Sequence, residues 1–283
     1  VRMTEQKFGG NWTIEKLDIL SDYLDFYLTA LKNQKFNKIY IDAFAGTGTI
    51  QVGDGTETIN GSSKLALSAK NDFDKYIFIE KNKKFYNELI SLIDTEYHQY
   101  KRKVKTYNTD CNKALKEICD TIDWRNNRAI LFLDPYAAEL EWETLKKIAK
   151  TKAIDVWYLF PFSAANRMLK KDKRIDDTWK KKLNSLFGDD SWEKELYKPN
   201  PQLSLFDNDN DNYVKDANTE KLKSYICDRL KTLFPAVSSN PRILYNQKNS
   251  PLFCFCFAVA SDNPKAIRLA LKVADHILKK EFK

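Results

Sequence analysis

Four acidic residues follow successive apolar segments of the chain, at positions where the strands of a sheet would end. They are Asp42, Glu80, Asp110 and Asp134. Carboxylates form strong hydrogen bonds with cations, and the carboxyl ends of parallel strands line one ligand-binding crevice. Any one of these acids alone would most simply be ordinary surface charge. The ordered set favours a site for a positively charged ligand.

The loop that would follow the first strand contains two glycines, Gly46 and Gly48. A dinucleotide site needs a third glycine, where Gln51 stands, and a phosphate-binding P-loop needs Gly-Lys-Ser/Thr, which is absent here. No Lys or Arg occurs from residue 39 to residue 63, and Asp42 would repel a phosphate. The loop and the acids together favour S-adenosylmethionine, a cation with a ribose and an adenine but no phosphate.

The predicted contacts with S-adenosylmethionine follow from the positions of the acids. Glu80 would accept hydrogen bonds from both ribose hydroxyls, as the acid after the second strand does in dinucleotide folds. Asp110 and the backbone of the following residue, Cys111, would contact the adenine edge. The predicted cofactor-binding residues are Asp42, Phe44, Ala45, Gly46, Gly48, Glu80, Asp110 and Cys111.

The candidate catalytic residues are Asp134, Pro135 and Tyr136. Methyl transfer from a sulfonium is an in-line displacement, so the protein mainly has to orient the nucleophile and exclude water. The Asp134 side chain and the Pro135 carbonyl could accept the two N–H bonds of an exocyclic amino group, and Tyr136 could stack on a base. The simpler interpretation is that Asp-Pro only begins a loop after a strand.

Strand and helix patterns alternate along the chain, which predicts a doubly wound α/β fold with a parallel sheet. An amphipathic helix at residues 13–32 precedes the first strand, and a polar loop at residues 51–63 follows the glycines. Later strands are predicted at residues 75–80, 104–108, 129–134 and 154–160, with helices at 83–97, 112–122 and 140–150. Strands at 242–246 and 252–260 are joined by a short turn and must be antiparallel, and a final helix covers 264–280.

Residues 163–218 form a predicted insertion within a single domain that covers residues 1–283. The insertion contains basic helical patterns at residues 167–182 and 192–197. Residues 205–216 are rich in Asn and Asp, which predicts a mobile loop. Whether residues 198–218 become ordered on binding stays open.

The composition favours an anionic partner. A net charge of +8 over 283 residues is typical of proteins that bind nucleic acid, DNA or RNA, and a mildly basic housekeeping protein is the simpler alternative. Five scattered cysteines and two histidines form no disulfide framework and no zinc pattern, so we expect no metal. No apolar run approaches the ~18 residues that span a bilayer, and the sequence shows no signal peptide. We therefore expect a cytoplasmic protein without a membrane partner.

The motifs resemble those of class I S-adenosylmethionine-dependent methyltransferases and, more narrowly, those of the three-Cys-motif partner family, TcmP. The segments that carry the resemblance are Gly10-x-Trp12-Thr13-x-x-Lys16-Leu17, Tyr40-Ile41-Asp42-Ala43-Phe44-Ala45-Gly46, Gly61-Ser62, Phe78-Ile79-Glu80 and Phe132-Leu133-Asp134-Pro135-Tyr136. The resemblance implies a Rossmann-like sheet of seven strands in the order 3-2-1-4-5-7-6, with the last strand antiparallel. It also implies a partner protein with a three-cysteine motif, related to radical S-adenosylmethionine proteins.

The sequence leads to a first hypothesis, a methyltransferase that acts on an exocyclic amino group of a nucleic-acid base. Adenine amino-methyltransferases usually carry Asp/Asn-Pro-Pro followed by an aromatic residue, whereas here Tyr136 directly follows Pro135. A second hypothesis is therefore a non-catalytic subunit, which binds S-adenosylmethionine or only the three-Cys-motif protein. A third is methylation of a protein or a small molecule.

Overall fold

The structure is a computed structural model that describes residues 10–52, 57–200 and 213–281. The helices in these ranges are α1 (Asn11–Ala30), α2 (Ser62–Leu67), α3 (Lys83–Glu96), α4 (Cys111–Thr121), α5 (Trp142–Lys150), α6 (Phe162–Met168), α7 (Asp177–Phe187), α8 (Trp192–Glu195), α9 (Thr219–Lys231) and α10 (Pro264–Lys279). The strands are β1 (Asn37–Asp42), β2 (Thr49–Val52), β3 (Glu57–Asn60), β4 (Lys75–Ile79), β5 (Val104–Tyr107), β6 (Asn127–Leu133), β7 (Ile154–Phe160), β8 (Tyr197–Pro199), β9 (Tyr213–Lys215), β10 (Ala236–Val237), β11 (Arg242–Tyr245) and β12 (Pro251–Val259).

The central sheet has the strand order β10-β12-β7-β6-β1-β4-β5, and β11 also pairs with β12. Strands β1, β4, β5, β6 and β7 are parallel, and β12 runs antiparallel to β7. This arrangement confirms the predicted Rossmann-like order 3-2-1-4-5-7-6 of class I methyltransferases. One detail differs from the predicted sheet. Two short strands, β10 and β11, both pair with β12 and together occupy the position of the predicted strand 6.

Helices cover both faces of the sheet, so the parallel strands are apolar on both sides. Alternate residues of β1 point to opposite faces: Ile39 and Ile41 pack with α4, α5, α6, α7 and α9, while Tyr40 packs with α1, α2, α3 and α10. Cys254 and Cys256 are buried in the first of these cores. The doubly wound architecture follows directly from this two-sided burial.

The region after the glycine loop differs from the prediction of a polar loop. Strands β2 and β3 pair as an antiparallel hairpin, in which Ile50 lies opposite Ile59. The β-branched residues among Thr49–Val52 and Glu57–Asn60 favour extended backbone over an irregular loop. Residues 53–56 lie outside the described part of the chain.

The insertion also differs in detail from the sequence prediction. The basic pattern at residues 167–182 forms two helices, α6 and α7, separated by a turn with Lys173 at a φ of 59°. Residues 213–215, predicted as part of a mobile loop, form β9, which pairs with β8 and is held by Lys215 N–H donating to the Lys171 carbonyl at 2.8 Å. Residues 201–212 lie outside the described part, and the single-domain boundaries stay a prediction.

In the described residues, no helix has the length and apolarity required to cross a membrane.

Candidate active site

A tight glycine loop connects β1 to the hairpin. Gly46 and Gly48 have φ values of 58° and 87°, which side-chain-bearing residues rarely adopt. A Cβ atom on Gly48 would lie 2.4 Å from Leu92 Cδ2, so this position also has no room for a side chain. The two glycines that the sequence singled out are therefore needed for the backbone path itself.

Glu80, directly after β4, holds this loop in place. Its Oε2 accepts a hydrogen bond from Gly46 N–H at 2.9 Å, and its Oε1 accepts one from Asn82 N–H at 2.7 Å. Burial raises the pKa of Glu80, while the backbone hydrogen bonds act in the opposite direction. Each carboxylate oxygen can accept a second hydrogen bond, so both loop contacts are compatible with further donors.

Asp110 caps α4, accepting a hydrogen bond from Asn112 N–H at 2.9 Å, and pairs with Lys81 Nζ at 3.4 Å. Partial burial opposes ionisation, but the hydrogen bonds from Asn112 and the charge of Lys81 outweigh it, and the pKa of Asp110 is lowered. The neighbouring Cys111 is buried, which raises the pKa of its thiol to about 12. Asp110 is therefore an anion at neutral pH, and Cys111 is a neutral wall residue.

Asn112 joins this turn to the loop after β6. Its side-chain N–H donates to the Glu139 carbonyl at 2.8 Å, and its Oδ1 accepts from Glu141 N–H at 2.9 Å and from the Thr144 hydroxyl at 2.8 Å. The amide is buried with donor and acceptor both satisfied. Sequence reasoning did not identify this residue, because a lone Asn carries no motif.

Lys16, on α1, forms an ion pair with Asp134 Oδ2. Its Nζ also lies 4.9 Å from the centre of the Trp12 ring, and that ring packs on Phe253, with the ring centres 5.1 Å apart. Sequence reasoning named Lys16 only within a family motif and gave it no role. The available signal was its spacing, since Lys16 and Leu20 lie four residues apart on the buried side of the helix.

Asp42 is fully buried beside the loop rather than in the pocket wall. Its carboxylate accepts hydrogen bonds from Phe44 N–H at 3.2 Å and from the hydroxyls of Tyr40 and Ser62. Burial raises the pKa of Asp42 to about 7, with these hydrogen bonds acting against the rise and the charge of Asp134 adding to it. Any effect of Asp42 on a ligand would therefore pass through the loop.

These residues surround a pocket of about 830 Å³ at the carboxyl edge of the sheet, a volume typical of ligand sites. The structure brings together ten of the predicted site residues in its wall: Phe44, Ala45, Gly46, Gly48, Glu80, Asp110, Cys111, Asp134, Pro135 and Tyr136. Tyr136 is 75% exposed. The charged residues of the wall are Lys16, Glu80, Lys81, Asp110, Asp134 and Glu139. Since four of these six are acids, the pocket favours a cationic ligand.

The described residues contain no group of three or more His, Cys, Asp or Glu side chains placed to hold a metal ion.

No family model and no curated protein sequence matches the chain. Among solved structures, protein LPL1258 from Legionella pneumophila aligns with a TM-score of 0.49 at 13% identity, over 93% of this chain and 92% of that chain. Spermidine synthase from Thermotoga maritima aligns with a TM-score of 0.40 at 10% identity, over 96% and 67%. Magnesium protoporphyrin IX methyltransferase from Synechocystis PCC 6803, with bound SAH, aligns with a TM-score of 0.36 at 12% identity, over 87% and 84%. The assignment of the fold rests on the observed strand order.

Proposed function

We propose that the chain is an S-adenosylmethionine-dependent methyltransferase that modifies an exocyclic amino group of a nucleic-acid base. The observation that carries this proposal is the predominantly acidic pocket at the carboxyl edge of the sheet, with the glycine loop tied to Glu80 at 2.9 Å. In a doubly wound sheet this edge is where ligands bind. Four wall carboxylates suit a sulfonium cation and would repel the pyrophosphate of a dinucleotide.

The proposal assigns the wall residues to two groups by their contacts with the ligands. Glu80 would accept ribose hydroxyls with its remaining lone pairs, and Asp110 with the backbone of Cys111 would contact the adenine. Gly46 and Gly48 let the loop backbone approach the ligand without side chains in the way. The other end, at Asp134, Pro135 and Tyr136, is left for the methyl acceptor.

Bound S-adenosylmethionine supplies an electrophilic methyl group, whose C–S bond breaks with the electron pair left on sulfur. At the acceptor end, Asp134 and the Pro135 carbonyl would each accept one N–H bond of the amino group, so that its lone pair points toward the methyl group and forms the new N–C bond. One proton then leaves the nitrogen to Asp134 and on to water. Tyr136, largely exposed at the pocket mouth, would stack on the base.

Exposed basic residues of the insertion support a nucleic-acid substrate. Helix α6 begins two residues after the carboxyl end of β7, which is the edge at which the pocket opens. The exposed cations of α6, α7 and the turn between them include Arg167, Lys170, Lys171, Lys181 and Lys182. Not every Lys here is available, since Lys173 and Lys180 both lie near Glu193. The exposed set could neutralise phosphates next to a base held in the pocket.

The narrower resemblance to the three-Cys-motif partner family, and the radical S-adenosylmethionine-like partner that it implies, are part of this proposal. One observation favours the second hypothesis, a cofactor-binding subunit without transfer activity. Asp134 Oδ2 already pairs with Lys16, so the charge of this acid is partly compensated before any acceptor binds. The third hypothesis is methylation of a protein or a small molecule, and an experiment has to distinguish it from the other two.

Calorimetric titration of the protein with S-adenosylmethionine and, in parallel, with NAD tests the ligand assignment. We expect saturable binding of S-adenosylmethionine at micromolar concentrations and none of NAD, because only the second carries a pyrophosphate. Binding of NAD with equal affinity, or of neither ligand, would refute the assignment. Transfer to an acceptor is tested separately with labelled methyl groups.

A further inference from the structure

We propose that Lys16 is a positioning residue of the acceptor site, which holds the Asp134 carboxylate by Oδ2 and so fixes the orientation in which Oδ1 meets the acceptor amino group. This inference rests on the proposed methyltransferase function and assigns a role to a residue outside the predicted catalytic set. In this role the ion pair between Lys16 and Asp134 is part of the acceptor site and does not oppose catalysis.

The surroundings of Lys16 hold its ammonium group in one place. The residue is 4% exposed, and buried lysines are rare unless they are paired. Trp12 lies one helical turn earlier and presents its ring face to the ammonium, while Phe253 at the start of β12 supports the ring from the sheet. A lysine with these contacts can keep a carboxylate in one orientation.

Attachment of α1 to the sheet does not require this ion pair. The helix already buries a continuous apolar surface that includes Leu17, Leu20 and Leu24. A second ion pair, between Glu15 and Arg242, ties the same turn of the helix to β11. These contacts remain when Lys16 is replaced, so α1 stays attached to the sheet, although removing one partner of the pair leaves Asp134 without its counter-charge. What Lys16 adds is the orientation of Asp134.

One engaged oxygen fits the geometry of an amino acceptor. The acceptor has two N–H bonds, and the site then provides one oxygen from Asp134 and one from the Pro135 carbonyl. Without the ion pair, the Asp134 side chain could rotate, and its oxygen would no longer be fixed relative to the Pro135 carbonyl and the acceptor nitrogen. The chain lacks the second proline of the Asp-Pro-Pro pattern, which would restrict the conformation of this site. The ion pair with Lys16 restricts it instead.

The charges around Asp134 give a second consequence. Lys16 of α1 pairs with the Asp134 carboxylate. Asp42 and Tyr40 of β1 interact with the charge of Asp134. Tyr136 and Glu139 lie in the same loop as Asp134. Lys16 is the cation of this group, and the others are acids or neutral hydroxyls. Removing Lys16 leaves the charge of Asp134 beside Asp42 without a compensating cation, and the charge of Asp134 is one of the causes that raise the pKa of Asp42. The acidic limb of a pH–rate profile should then move to higher pH.

The test compares Lys16→Met, which keeps the length of the side chain, with Lys16→Arg, which keeps its charge. Lys70→Met is the matched control, since Lys70, which follows α2, is exposed and pairs with Asp25 of α1 at 3.0 Å. For Lys16→Met we expect S-adenosylmethionine affinity within about twofold of wild type, a fall in kcat of about 100-fold and an upward shift of the acidic limb. Lys16→Arg should restore part of kcat and the original pH profile.

The outcomes separate this inference from the function on which it rests. A wild-type protein that binds no S-adenosylmethionine refutes both. A Lys16→Met variant that transfers methyl groups at the wild-type rate and pH refutes the positioning role alone. If Lys16→Met lowers the melting temperature and cofactor affinity together, Lys16 is structural. If Lys16→Met does not fold, Lys16→Arg decides. A Lys16→Arg protein with unchanged kcat and pH profile supports the positioning role. A Lys16→Arg protein with normal stability that has lost both the kcat and the pH profile of wild type refutes it.

Discussion

Lys16 and Asp134 form an ion pair across 118 residues of sequence, which joins the first helix to the carboxyl end of a central strand. Lys16 is buried, and both Lys16 and Asp134 line the pocket. Glu80 lines the same pocket and binds the glycine loop through Gly46 N–H at 2.9 Å. In the proposed function the first contact belongs to the acceptor site and the second to the cofactor site.

Replacing Glu80 with Gln should weaken S-adenosylmethionine binding by about 10- to 100-fold. The amide has one acceptor oxygen where the carboxylate has two, so it cannot keep both the Gly46 and Asn82 contacts and also bind ribose hydroxyls. Calorimetric titration measures the change. Glu96→Gln is the control, because Glu96 forms an exposed ion pair with Lys64. Equal affinity in wild type and Glu80→Gln would contradict the predicted ribose contact.

Replacing Gly48 with Ala should lower the free energy of unfolding by about 1–3 kcal/mol. The residue has a φ of 87°, and its new Cβ would lie 2.4 Å from Leu92 Cδ2. Urea denaturation provides the measurement. The double variant with Leu92→Ala would show whether the clash or the backbone strain dominates. A Gly48→Ala protein as stable as wild type would contradict the backbone conformation described for this loop.

The stability of the protein should fall as the pH rises from about 4 to about 7. Burial raises the pKa of Asp42 from 3.8 to about 7, so in this window the folded state holds a proton that the unfolded state releases. In Asp42→Asn this contribution is absent. As the pH rises from about 4 to about 7, the free energy of unfolding of Asp42→Asn should therefore increase relative to that of wild type by up to about 1.4 kcal/mol per pH unit. Above pH 7 the difference between the two proteins should stay constant.

Urea denaturation at a series of pH values measures this difference. Asp94→Asn serves as the control, since Asp94 lies on the exposed side of α3 and pairs with Lys101 at 2.8 Å. Parallel pH curves for wild type and Asp42→Asn would show that Asp42 does not titrate in this range.

Changing Arg167, Lys170 and Lys171 together to Gln should weaken nucleic-acid binding and its salt dependence. Each lost phosphate contact lowers the slope of log K against log salt by about 1. The matched control is Lys265, Arg268 and Lys272 changed to Gln, three exposed cations on α10. Helix α10 begins after the end of antiparallel β12, at the edge of the sheet opposite the pocket. Equal effects of the two triple variants would argue against the end of α6 and the turn after it as the nucleic-acid surface.

The doubly wound sheet and the pocket-lining loop could be predicted because each depends on local patterns, whereas the strand order 3-2-1-4-5-7-6 was implied by the resemblance to class I methyltransferases. Apolar strands separated by amphipathic helices specify a doubly wound sheet, and parallel strands bring Glu80, Asp110 and Asp134 to one edge regardless of side-chain detail. The hairpin of β2 and β3 was missed, because its short alternation is interrupted by a glycine-containing segment.

Contacts between distant segments could not be predicted in this way. Nothing in a single sequence pairs Lys16 with Asp134 or Asn112 with the Glu139 carbonyl, since both depend on how a helix or loop packs on the finished sheet. The full burial of Asp42 was missed for the same reason. An acid at a strand end can face the ligand or the core, and only the packing of Ser62 and Tyr40 around it decides which.

The most direct test of the central claim is transfer of a tritiated methyl group from S-adenosylmethionine to separate pools of RNA, DNA and protein, by wild type and by Asp134→Asn. We expect wild type to label a nucleic-acid pool, and Asp134→Asn to bind S-adenosylmethionine normally but to lose transfer, because the amide cannot take up the proton of the amino group. Absence of label in every pool, or equal labelling by wild type and variant, would contradict the account.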